Sequence, residues 1–146
     1  MIPPMLTLAF LLIAALQQTT FQPVGTMSQL MIDIIYPTSN DLFYIERTPP
    51  MTDAEWGAIE RSALSLAESG NLLMMPGRAR DQGDWIKDSK MLIDAGTKAF
   101  KAAKAKDMNA ILALNEELVA SCTTCHMQYR QNYRRGRGQN PQNQTR

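Results

Sequence analysis

Histidine and cysteine are scarce in this chain: one histidine and two cysteines in 146 residues. Those counts exclude a four-cysteine zinc site and a zinc site of two cysteines and two histidines. An excess of charge of one sign is also missing. Fifteen basic and fourteen acidic side chains leave a net charge of +1, so nothing points to nucleic acid or acidic lipid as a main partner. No stretch alternates apolar and polar residues as a strand would. Glycine-rich phosphate loops are absent, and Pro76-Gly77-Arg78 reads as a turn. Met5 to Leu16, nearly all apolar, falls short of the ~20 residues that span a bilayer.

That run has the length of a signal-peptide core. Residues 1–22 carry no charged side chain, and Ile13-Ala14-Ala15 is the best match to a cleavage site. The expectation is an export signal over 1–22, with an uncleaved anchor or a buried first helix as the alternative. Hydrophobic residues make up 45% of the chain, enough for the core of one domain, placed at 23–133.

Within that domain four helical patterns are separated by short breakers. The first runs from about Thr26 to Ile45, with an apolar stripe of Met27, Leu30, Met31, Ile34, Ile35, Leu42 and Ile45; Pro37 should kink or split it. The second opens on Thr52-Asp53-Ala54-Glu55, a capping box, and ends near Met75. Leu72 to Met75 close it as an apolar run that packs the interior or a cofactor edge. Trp56 and Trp85 read as core or interface anchors. The third helix starts around Asp84. The fourth begins near Asp107 and carries Ile111, Leu114, Leu118, Cys122, Cys125 and Tyr129 at spacings of three and four. Four amphipathic helices with short connections predict an all-α fold, an antiparallel up-down four-helix bundle. Residues 134–146, rich in arginine, glycine, asparagine and glutamine, read as a disordered basic tail. It is either simply solvated or a docking element for an acidic partner.

Both cysteines and the histidine fall in one stretch, Cys122-Thr123-Thr124-Cys125-His126. C-x-x-C-H is the attachment signature of a c-type haem. Two thiols add to the porphyrin vinyl groups as thioethers, and the adjacent imidazole ligates the iron. A redox dithiol of thioredoxin type would follow a strand and open a helix, whereas this motif lies late on a helical pattern. With His126 so used, no second histidine supports bis-histidine ligation or a Ser/His/Asp triad, and no enzyme activity is expected. Loading of c-type haem outside the bacterial cytoplasmic membrane makes the expected location periplasmic, with no stable membrane span in the mature chain.

The motif extends as C-x-x-C-H-x-x-Y-R through Tyr129 and Arg130. In this form, near the end of a fourth helix, it resembles the cytochrome c′ family over roughly residues 25–133. The resemblance implies one covalent haem c on Cys122 and Cys125, with His126 as proximal ligand. Family members differ on the far side of the iron. Low-spin relatives place a first-helix methionine there and carry electrons; others leave the position open and bind NO or CO. Ser28-Gln29-Leu30-Met31 is similar to the family segment over the haem, which points to Met31 as sixth ligand. Met27 lies one turn earlier, and an open or water-bound site is the third option, since methionine on an apolar face is commonly core. Arg130, four residues after His126, is assigned to a haem propionate or the proximal imidazole, or else to solvent. The expected partners are redox proteins, or small gases in the second case. A homodimer through the first two helices and a monomer both fit.

Overall fold

The structure is a computed structural model that describes residues 21–130. The expected export signal over 1–22, except for its last two residues, and the expected tail over 134–146 lie outside the described residues. Among those described, all regular structure is helical.

Thr26 opens the first helical region. Gln29 N donates to Thr26 Oγ1 at 3.2 Å while Thr26 N donates to Gln29 Oε1 at 2.9 Å, a reciprocal cap that satisfies two otherwise orphaned donors. The region comprises α1 (Met27–Gln29), a π-helical segment (Leu30–Ile35) and α2 (Tyr36–Phe43), followed by a 3-10 turn (Ile45–Arg47). The interruption expected at Pro37 takes the form of that π-helical segment. Proline has no N–H, and its ring crowds the carbonyl four residues earlier. The preceding turn widens, so that Tyr36 N donates to Met31 O five residues back. Thr38 Oγ1 in turn donates to Ile34 O at 2.7 Å. The wider turn also corrects the expected apolar stripe. Ile35, five residues after Leu30, is buried with it at 7% and 3% exposure, while Ile34 is turned outward at 38%.

The second and third helices follow their sequence signals. α3 (Asp53–Met74) is capped by Thr52, whose N–H and that of Met51 both donate to Glu55 Oε2 at 2.8 Å. Gly77, at φ +84°, sits in the turn that follows, a conformation glycine adopts without penalty. α4 (Asp84–Lys104) then begins. The fourth pattern is divided, into α5 (Met108–Ala113) and α6 (Asn115–Tyr129). At Leu114 the chain tightens to a three-residue hydrogen bond, Leu114 N to Ile111 O at 3.0 Å.

α3 and α4 share a seam of small residues: Ala63, Ala67 and Gly70 on one side, Ala95, Gly96 and Ala99 on the other, all buried. A β-carbon on Gly96 would lie 2.7 Å from the backbone nitrogen of Ala67, so backbone meets backbone here. Interhelical contacts occur in reversed chain order. Asp53 of α3 pairs with Lys106, just beyond the end of α4, and Leu73 with Trp85 across α3 and α4; Lys98 pairs with Glu117 and Asp84 with Gln128 across α4 and α6. The first region packs on α3, and Ser62 donates to Asp41 across them. The shared core includes Leu42, Ile45, Leu66, Ile111 and Leu118. No described helix is long and apolar enough to cross a membrane.

Candidate functional site

A cleft of about 670 Å³ opens between the first helical region and α6, within the ~300–1,000 Å³ usual for cofactor sites. One wall is Cys122, Cys125, His126 and Tyr129 of α6 with Arg130 at its end. The other is Met27, Ser28, Met31, Ile32, Ile35, Tyr36 and Ser39. Trp85 and Arg80 complete it. The motif residues share the cleft because spacings of three and four place them on one helix face. Every residue assigned to cofactor binding from the sequence, including Met31, Met27 and Arg130, borders this single space.

Burial sets the protonation of the α6 wall. Cys125 is buried and Cys122 half-buried, and neither forms a disulfide. Desolvation pushes both thiols up, Cys125 to about 11, with the Asp88 carboxyl adding to the rise. A redox-active dithiol needs the opposite shift, toward the thiolate. His126 is held below its ordinary value, first by burial and then by the Arg130 charge. Both effects favour the neutral ring, the form in which an imidazole ligates a metal. Among the described residues, no three His, Cys, Asp or Glu side chains are grouped so as to hold a metal ion themselves.

Tyr129 is fixed by polar contacts as well as packing. Its hydroxyl donates to Asp81, and its ring meets Trp85 edge-on with centroids 4.9 Å apart. Trp85 is buried and donates Nε1–H to Leu73 O at 2.8 Å. Beyond an anchoring role, therefore, Trp85 forms part of the cleft wall.

No protein-family model, curated protein or solved structure matches this chain. The family resemblance rests on the extended motif and on the order of the helices.

Beneath the cleft lies a second void of about 30 Å³, bordered by Met31, Ile35, Leu73, Asp88, Ser89, Leu92, Ser121, Cys122, Cys125 and His126. Asp88 is 3% exposed, and its Oδ2 has no hydrogen-bond partner among the described residues. Burial, reinforced by Asp84, pushes its carboxyl above the ordinary carboxylate range. The sequence reading did not single out Asp88, although its spacing from Trp85 and Leu92 puts it on the buried face of α4. Arg80 was also missed, and there no local signal existed, because it reaches the cleft from a connection.

Proposed function

We propose that this chain is a monohaem c-type cytochrome of the cytochrome c′ type, periplasmic, which carries single electrons between redox proteins. The observation that carries the reading is the placement of Cys122, Cys125 and His126 on one wall of a largely apolar cleft with Met31 on the other. The reversed order of interhelical contacts supports an up-down antiparallel bundle around it.

The residues present fit a haem. Two protonated thiols three residues apart border the space in which vinyl groups would be attacked. A neutral imidazole beside the second thiol is in the state that ligates iron, and the Met31 thioether suits haem iron as a soft sixth ligand. When bound, the haem supplies one-electron chemistry that no side chain here provides. The protein's part is to anchor the ring through Cys122 and Cys125, to donate His126 and Met31, and to keep water from the ring with Trp85, Ile35 and Tyr129. Arg130, close enough to bias His126 electrostatically, disfavours the ferric state and raises the reduction potential.

A second reading is favoured by the apolar side chains flanking Met31, namely Ile32 and Ile35. With the sulfur withdrawn, they would leave a pocket suited to NO or CO. One experiment separates the two. The full chain is produced in a host that matures c-type cytochromes, weighed by mass spectrometry, and followed optically in both oxidation states with and without CO. A mass increase of one haem, a low-spin spectrum with a sulfur-to-iron near-infrared band, and loss of that band in Met31→Ala are expected. A high-spin spectrum that responds at once to CO selects the gas-binding reading. A mass without haem overturns both.

A further inference from the structure

We propose that Arg80 is the carboxylate clamp of the cleft: it holds a propionate of the bound tetrapyrrole and so fixes which way round the ring enters. This rests on the haem reading above. Among the described residues that border the cleft there is no carboxylate, and the only charged side chains are Arg80 and Arg130. A space with an apolar body and two guanidinium groups is matched to a flat apolar molecule with an anionic edge. Haem has that form, its vinyl groups on one edge and its two propionates on the other. Thioethers to α6 secure the vinyl edge. Arg80 enters from the connection between α3 and α4, so it reaches the cleft from a different element than the thiols do.

The connection holds Arg80 in place from both sides. Two residues before it, Arg78 donates through Nη2 to Gly25 O at 3.0 Å and through Nη1 to Leu72 O at 3.4 Å, tying the connection to the entry of the first helix and the end of α3. One residue after it, Asp81 Oδ1 accepts from Gly83 N at 2.8 Å and Trp85 N at 3.1 Å, while Oδ2 accepts from the Tyr129 hydroxyl. Asp81 is thus engaged with the start of α4 and with α6. Arg80 itself is exposed and forms no ion pair with another described residue. An anchored backbone carrying an uncommitted guanidinium loses little freedom on binding, and the planar fork of arginine matches a carboxylate in two parallel hydrogen bonds.

The test compares ligands that differ only in their carboxylates. The full chain, made without haem attachment and kept reduced, is titrated with haemin and with haemin dimethyl ester, and binding is read from the Soret band. Wild type should bind haemin more tightly than the ester. Arg80→Ala and Arg80→Gln should each weaken haemin binding about tenfold, the scale of one lost charge-assisted hydrogen bond, and leave ester binding unchanged. Haemin affinity unaltered by both substitutions, or equal losses for haemin and ester, overturns the clamp and leaves the haem reading standing. Binding of neither ligand to wild type overturns both.

Discussion

Asp88 combines near-complete burial with an oxygen that no described residue satisfies. Desolvation raises the pKa of a carboxyl in that position and so favours its neutral form. In the unfolded chain it ionises near its ordinary value of about 3.9. Above that pH the folded state therefore holds more protons than the unfolded state, and stability falls as pH rises toward the elevated folded value. Asp88→Asn removes this dependence while preserving shape. The variant should exceed wild type in stability at pH 7, where folding carries the cost of a raised carboxyl pKa, and match it near pH 3. Urea unfolding at the two pH values measures this; an equal gap at both would show that ionisation is not the cause. At this scale the sequence was legible where spacing along one helix gathers side chains, as it brings Cys122, Cys125 and His126 to one cleft. It was illegible where a residue acquires its role from distant chain, as Arg80 does.

The helices show the same division. Thr52 with Glu55 and the Asp107 cap of α5 were readable because a cap is satisfied within three residues. The π-helical segment was not, because Pro37 demands relief without specifying its form. A widened turn, a kink and a break each remove the clash, and the choice depends on what Leu30 and Ile35 pack against. The glycine seam was equally hidden, since α3 and α4 carry small residues whose meaning appears only when the helices touch. Gly96→Ala should destabilise by about 1–3 kcal/mol, since the new methyl group meets backbone rather than a movable side chain. Gly57→Ala is the internal control. It lies in the same fold on α3, and its β-carbon would meet only the far end of the Arg61 side chain at 3.4 Å. That change should stabilise by about 0.4–1 kcal/mol through the unfolded state. Thermal or urea unfolding of both variants checks the pair, and the same sign for both would refute a tight seam.

Across the whole molecule, firmness is unevenly distributed. α3 and α4 meet through backbone contact at Gly96 and Gly70, and α6 packs on α4. Opposite α6, the first region leaves Ile32 and Tyr36 at 63% and 62% exposure on the lip of the cleft. Native-state hydrogen exchange on the haem-free chain should show amides of Leu30–Ile35 exchanging faster than those of Ala63 to Leu73, with the difference shrinking when the cleft is filled. Uniform protection across both stretches would contradict the uneven packing.

The π-helical segment has a mechanical consequence. One jaw of the cleft is seated on a rigid block, while the other is built from a stretch whose hydrogen bonds skip five residues instead of four. Tightening that offset by one residue would turn the helix about its own axis and exchange Ile34 for Ile35 on the inner face, carrying Met31 with it. Pro37 disfavours the ordinary setting, and the packing of Leu30 and Ile35 selects the wider one. Which first-helix side chains face the α6 wall thus depends on the width of this turn, and Pro37, which bears on that width, is not among the residues bordering the cleft.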